Sequence, residues 1–377
     1  MSMKYSDTGV SYEELDPVKL LFSVKNESTH DGPVMAHNIE YRQESKGESA
    51  AVYDFRDYDF MIAFVAESLG TKIFDADRIK GKTEIAKLFT GKKLYAGFGI
   101  DMAAMIVYDL NNVGALPIGI ADIIASGDSD YFARHNQDRT EELVDGFIEG
   151  ANLSEASLAT GDLPTYPGIV NPETLCICGA GFGIIKPKSR FTEGGRKIKE
   201  GDVIYGLGSS GIHSNGLSLS RAIIEKQPEG YASKLENGQM IGEAILTQSR
   251  IYSQLLRVLF EREVELKYIS HVTGHAFQGK VARPKMEFTY VIEWLPEPQP
   301  EFRWLMEKGP VSKIEAYKTW NMGVGLILIA SEEQENIIED EARERGIDSW
   351  KIGHVEKGPR RVVMPFKEDG KPVVYTP

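Results

Sequence analysis

The run Gly206-Leu207-Gly208-Ser209-Ser210-Gly211-Ile212-His213-Ser214-Asn215-Gly216 puts four glycines, three serines, an Asn and one imidazole into eleven residues. It follows the apolar Val203-Ile204-Tyr205 and precedes Leu217-Ser218-Leu219-Ser220-Arg221-Ala222-Ile223-Ile224, so it reads as strand, small-residue loop, helix. Such a loop is either an ordinary glycine turn or a cradle whose backbone N–H groups and hydroxyls face an anion at a helix N-terminus. His213 in its middle favours the cradle, because a titratable ring there would meet a substrate.

Two other stretches carry carboxylates where chemistry could use them. Glu67-Ser68-Leu69-Gly70-Thr71-Lys72 comes directly after the apolar strand 59–66, as the edge of a phosphate or metal site or as a turn with a solvated lysine. In the apolar segment 99–110, Asp101 and Asp109 are eight residues apart, which places them on one helical stripe with Met105 and Tyr108 beside them. Buried carboxylates are costly without a cation. The pair therefore reads either as Mg²⁺ ligands working through water and substrate phosphates, or as a helix cap plus a buried ion pair.

The elements that must position these residues follow a mixed pattern. Residues 1–50 form a polar, turn-rich arm with a short helix from Tyr12 to about Val24 and a loop over 26–33. Strands are expected at 59–66 and 175–185, with a turn then a strand over 114–127, helices at 99–110 and 139–154, and a Gly161-Asp162 turn after a strand at 156–160. Lys186-Pro187-Lys188 marks a domain boundary, giving an arm (1–50), an N-terminal α/β domain (51–186) and a C-terminal α+β domain (187–377). Beyond it, 241–260 reads as one long helix, 268–277 as a strand running into a Thr273-Gly274 turn, and 319–329 and 350–355 as core strands. His271 and His275, four apart across that turn, are weak as a metal pair.

The bulk properties narrow the class. At 377 residues two domains are natural, and a net charge of −13 argues against nucleic-acid binding, which needs a basic face. No run approaches the roughly 18 apolar residues of a membrane span, and Met1–Tyr5 lacks an apolar leader core, so a cytoplasmic location is expected. The two cysteines, Cys176 and Cys178, share one face of a strand, and they read as buried packing thiols rather than a disulfide or metal cage.

Taken in order, the motifs resemble those of the phosphoribosylformylglycinamidine cyclo-ligase (aminoimidazole ribonucleotide synthetase) family. The resemblance is carried by Tyr5-x-x-x-Gly9-Val10, Gly70-Thr71-Lys72, Gly99-Ile100-Asp101 to Asp109, Gly208–Gly216, His271-Val272-Thr273-Gly274, Asn321-Met322-Gly323-Val324-Gly325 and Trp350-Lys351-Ile352-Gly353, over nearly the whole chain. It implies an N-terminal sheet domain that joins a second copy in a barrel, making a homodimer, with a C-terminal α+β domain packed against it. It further implies ATP and Mg²⁺, and a phosphorylated small-molecule substrate, formylglycinamidine ribonucleotide, closed to aminoimidazole ribonucleotide. On that pattern the metal falls to Glu67, Asp101 and Asp109, and the nucleotide to Gly70, Thr71, Lys72 and Asp162. Substrate falls to Ser209, Ser210, Gly211, Asn215 and Thr273, and turnover to His213, Lys72 and Asp101.

The chain also departs from the family. Ala66-Glu67-Ser68-Leu69-Gly70-Thr71-Lys72 stands for Thr-Asp-Gly-Val-Gly-Thr-Lys, and Thr160-Gly161-Asp162-Leu163 for Gly-Gly-Glu-Thr. One carboxylate is lengthened and the other shortened, as if one metal shell had been redistributed between two sides. Tyr108 replaces an Asn, and His275-Ala276 a Gly-Gly pair. Two further readings stay open: a relative acting on another small substrate, and a nucleotide-binding paralogue without turnover.

Overall fold

The computed structural model describes residues 3–133 and 136–376; Met1 and Ser2, part of the stretch read for a leader, lie outside them. Its strands divide between two sheets. The first is six-stranded in the order β1-β2-β3-β6-β4-β5, with β1 Ile39–Tyr41, β2 Ala51–Phe55, β3 Phe60–Ser68, β4 Leu116–Ser126, β5 Ser157–Asp162 and β6 Leu175–Ile185. The second is seven-stranded in the order β13-β12-β9-β11-β7-β10-β8. Its strands are β7 Val203–Gly208, β8 Tyr268–His271, β9 Phe288–Ile292, β10 Val324–Ala330, β11 Ser349–Lys357, β12 Arg361–Glu368 and β13 Lys371–Tyr375.

The first sheet is two-faced. In β3, Met61, Ala63 and Val65 are buried while Phe64 is half exposed, the period-two alternation of a sheet packed on one side. The helices Ala96–Asn112 and Gln137–Leu153 cover the inner face. Ile106 of the first helix comes so near Gly179 and Gly181 of β6 that a Cβ on either glycine would overlap it, which explains the Gly-x-Gly in that strand. In the second sheet β7 and β10 are buried on both faces, and accordingly they are continuous apolar runs without alternation.

Register gathers the loops that matter. Val324 pairs with Gly208 and Leu326 with His271, so the loop after β7, the turn after β8 and the Asn321–Gly323 turn before β10 meet at one end of the second sheet. The helix Ala96–Asn112 lies between the two sheets, its outer stripe facing that end.

Several local expectations change. Residues 26–37, read as loop to 33, form a 3₁₀ turn and the helix Asp31–His37. Gly161 and Asp162 end the edge strand β5 instead of turning after it. The long helix over 241–260 is two helices, Ile241–Leu246 and Ser253–Glu261, separated by an extended link at 247–252. The thiols are not core: Cys176 is exposed and Cys178 half-buried, because β6 turns Leu175 and Ile177 inward.

Candidate active site

Lys72 opens the helix Lys72–Lys80 just after β3, and Asp101 sits one turn into the helix Ala96–Asn112. Both are fully buried, with Nζ 2.7 Å from Asp101 Oδ2. The link at 247–252 closes round them. Lys72 Nζ donates to the Thr247 carbonyl at 2.7 Å, and Asp101 Oδ1 accepts from Ser249 N–H at 2.7 Å and Ser249 O–H at 2.6 Å. The ion pair is thus a four-point clamp between the two halves of the chain. The neighbouring Thr71 carbonyl and hydroxyl both accept from Arg221, which also grips buried Asp75 through two nitrogens at 2.9 and 2.8 Å. Gly70 takes the left-handed φ of +74° that the turn into this helix requires.

His213 is buried and neutral. It adopts φ +58°, and its Nε2 accepts from Ser210 N–H at 3.3 Å and Arg250 N–H at 3.4 Å. Burial, with Lys72 and Arg250 nearby, holds its pKa down at about 3. Nδ1 is left as the protonated nitrogen and has no hydrogen-bond partner among the described residues. The Ser209 N–H is committed to the Gly323 carbonyl and its hydroxyl to Asn321 Oδ1, while the Ser210 hydroxyl donates to the Gln248 carbonyl. Two of the three amides expected to face a phosphate therefore point into the loop's own framework. Asn321 completes it by donating to the Gly211 carbonyl at 2.9 Å. Asn215 Nδ2, by contrast, is buried without a hydrogen-bond partner among the described residues, beside Gly274. Thr273 is buried in the adjoining turn, and Tyr12 of the N-terminal helix stacks on His275 at 3.6 Å, laying the arm over this corner.

Tyr108 fills the space between the halves. Its ring stacks on His271 with centroids 4.0 Å apart at 15°, and its hydroxyl donates to the Arg250 carbonyl. His271 Nδ1 donates to Asn112 Oδ1 at 2.8 Å, since the Asn112 amide nitrogen is already donating to Ser49. His271 Nε2 is an acceptor without a partner among the described residues. Gly325 is required below: a Cβ there would lie 2.1 Å from the Tyr252 hydroxyl and 2.8 Å from the His213 ring.

The carboxylates expected to share one metal do not form one cluster among the described residues. Asp101 is taken up by Lys72 and Ser249. Eight residues along the helix, about 12 Å away, Asp109 hydrogen-bonds Glu67. Burial and Asp109 push the Glu67 carboxyl up to about 8, so Glu67 keeps its proton at neutral pH. Lys280 and Arg283 approach from the C-terminal half, and burial lowers the Lys280 ammonium to about 8. Asp162 lies elsewhere. Glu67 pairs with Gly179, Gly179 with Asp122, and Asp122 with Gly161, so β5 is three strands, roughly 14 Å, from β3. The opposite changes in carboxylate length at 67 and 162 therefore do not compensate within one shell of one chain.

Residues 47–185 match the family described as AIR synthase related protein, N-terminal domain, and residues 199–364 match its C-terminal domain. The chain belongs to the AIR synthase related family. The phosphoribosylformylglycinamidine cyclo-ligase of Carboxydothermus hydrogenoformans is 34% identical over 78% of this chain and 82% of its own length. Those of Methanocaldococcus jannaschii (32%, covering 93% and 91%) and Caldicellulosiruptor bescii (30%, covering 96% and 99%) are similar over more of the chain. Among solved structures, the hydrogenase maturation protein HypE in complex with ATP has a TM-score of 0.57 at 17% identity over 80% of this chain and 81% of that chain. The protein tt0281 from Thermus thermophilus gives 0.55 at 15% identity over 86% and 90%. These two likenesses show a shared fold alone.

Sequence reasoning missed the link 247–252. Thr247, Ser249 and Arg250 hold Lys72, Asp101, Tyr108 and His213 through backbone groups, and an apolar pattern that continues on either side hides the break. Asn321 was legible only as part of a turn, and Lys280 and Arg283 carried no spacing signal.

Proposed function

We propose that this chain is an ATP-dependent ligase that closes formylglycinamidine ribonucleotide to aminoimidazole ribonucleotide, in de novo purine synthesis. The observation that carries the reading is the Lys72–Asp101 clamp. Two family motifs from the N-terminal half lock onto the link beside the Gly208–Gly216 loop, in a chain at least 30% identical to cyclo-ligases over most of its length. ATP, when bound, supplies the phosphoryl group that makes the amide oxygen a leaving group for ring closure.

The chain's own groups set the stage for that step. Glu67 and Asp109 fit Mg²⁺, which takes one or two carboxylates and completes its shell with water and phosphate oxygens. A cation there would also displace the proton that Glu67 holds. Lys280 and Arg283 add positive charge on the facing wall, suited to developing phosphoryl charge. Asn215 Nδ2 and Thr273 offer polar contacts for the ribonucleotide. Ser209, Ser210 and Gly211 act through the loop they build, and a phosphate contact from the Ser209 and Ser210 amides requires that loop to rearrange on binding. His213 acts in the same way: neutral and anchored at Nε2, it fixes the path of the loop and is a positioning residue rather than a proton carrier. Gly70 and Thr71 set the entry to the Lys72 helix. Asp162 is retained as a nucleotide contact because it lines a cavity of about 470 Å³ walled by Leu143, Val144, Phe147 and Leu158, apolar enough for a nucleobase.

The outer face of the first sheet exposes Phe64, Ile118, Ile123 and Phe182, an apolar surface suited to a facing copy, which supports a homodimer. No helix among the described residues is long and apolar enough to cross a membrane, and a cytoplasmic location is part of this proposal. Incubation with formylglycinamidine ribonucleotide, ATP and Mg²⁺ tests the activity: aminoimidazole ribonucleotide and ADP should appear in equal amounts. ADP only with a different acceptor would favour a relative acting on another substrate.

A further inference from the structure

The outer face of the first sheet also carries both thiols of the chain. Their sulfurs are 3.9 Å apart. Cys178 is opposite Ser68 of β3 and Ile123 of β4, and Cys176 is opposite Ala125, so the pair opens onto the same apolar surface as Phe64, Ile123 and Phe182. Ser68, Ile123 and Ala125 are uncharged, and Asp162 of β5 lies beyond Ile123 in the same row.

We propose that Cys176 and Cys178 are a two-thiolate half-site for a thiophilic d¹⁰ cation such as Zn²⁺, completed by the same pair from a second copy of the chain. The spacing carries the argument. Two sulfurs about 2.3 Å from a tetrahedral zinc lie about 3.8 Å from each other, which the observed separation matches without a rotamer change. A disulfide would need the sulfurs at about 2.05 Å, and residues i and i+2 of a strand hold their Cα atoms near the roughly 6.8 Å limit for that bond. Chelation therefore suits the pair better than oxidation. Two thiolates are half of a closed four-sulfur shell, so the site is incomplete in one chain. Binding is balanced without redox: four thiols lose their protons as one Zn²⁺ enters, and no electrons move. The Ser68 hydroxyl, on the same face as Cys178, can donate to the thiolate sulfur formed there.

The inference rests on the proposed face-to-face dimer, and the experiment separates the two. Reduced, chelator-stripped protein is loaded with ZnCl₂, desalted, and analysed for zinc per chain and for mass by light scattering. One zinc per two chains on a dimer is expected, with four protons released per zinc. Loading with Cd²⁺ should produce the ultraviolet thiolate-to-cadmium charge-transfer band. The double variant Cys176→Ser/Cys178→Ser should lose both signals and stay dimeric. A wild-type dimer that retains no zinc, or one zinc per chain, overturns the half-site and leaves the dimer standing, as does a variant that binds like wild type. A monomeric wild-type protein overturns both.

Discussion

Lys72 Nζ and Asp101 Oδ2 meet at 2.7 Å with neither side chain exposed to solvent, and both are held from the C-terminal half by the Thr247 carbonyl and by Ser249. This pair joins the two halves where the family's motifs converge. Its energetics follow from burial: the pair is tolerated because every charge is matched, and removing one partner strands the other.

Lys72→Met should therefore destabilise the protein by about 3–5 kcal/mol, the usual cost of an unmatched buried charge. Replacing both partners, as Lys72→Met with Asp101→Leu, should recover a large part of that loss. Urea unfolding of the three proteins checks this. A single variant as stable as wild type would show that the clamp contributes nothing.

Glu67 makes stability pH-dependent in a defined direction. Its folded pKa, about 8, lies above its ordinary value of 4.5, so the native state binds the extra proton between those limits. Stability from this group is full below about pH 4.5 and is lost as pH rises through 8. Lys280 works in the opposite sense above pH 8, where its folded pKa lies below the ordinary 10.5. Glu67→Gln should flatten the decline between pH 5 and 8 in denaturant melts. Equal slopes for wild type and variant would show that Glu67 holds no extra proton in the folded protein.

His213 should stay neutral wherever the protein is folded, because its pKa is held near 3. Ring resonances of this residue in an NMR titration should be flat from pH 5 to 8. A midpoint near 6.5 would restore it as a proton carrier. His213→Ala leaves the Ser210 and Arg250 N–H groups without their acceptor, at about 1–3 kcal/mol each if they remain buried.

Much of this was legible in the sequence where one period dominates. β3, β6 and the helix Ala96–Asn112 have clean patterns and fall close to where those patterns put them. The Gly208–Gly216 loop and its neighbours could be found by residue type, but not the direction in which their amides point. That direction is set by His213 and by Asn321, 110 residues away from Gly211 in the chain. Asp101 and Asp109 looked equivalent on one stripe, yet one meets Lys72 and the other Glu67, which only tertiary packing decides. Tyr108 stood out as a departure from the family, and the structure gives it a job: it stacks on His271 and donates to Arg250 across the join between the halves. Cys176 misled because thiols are usually buried, whereas this strand exposes its even-numbered positions on an apolar face.

The central claim is ring closure at the expense of ATP, and single-turnover mixing of the protein with formylglycinamidine ribonucleotide, ATP and Mg²⁺ tests it most directly. The account predicts one aminoimidazole ribonucleotide and one ADP per active site, with both lost together in Asp109→Asn; nucleotide binding with neither product formed would contradict it.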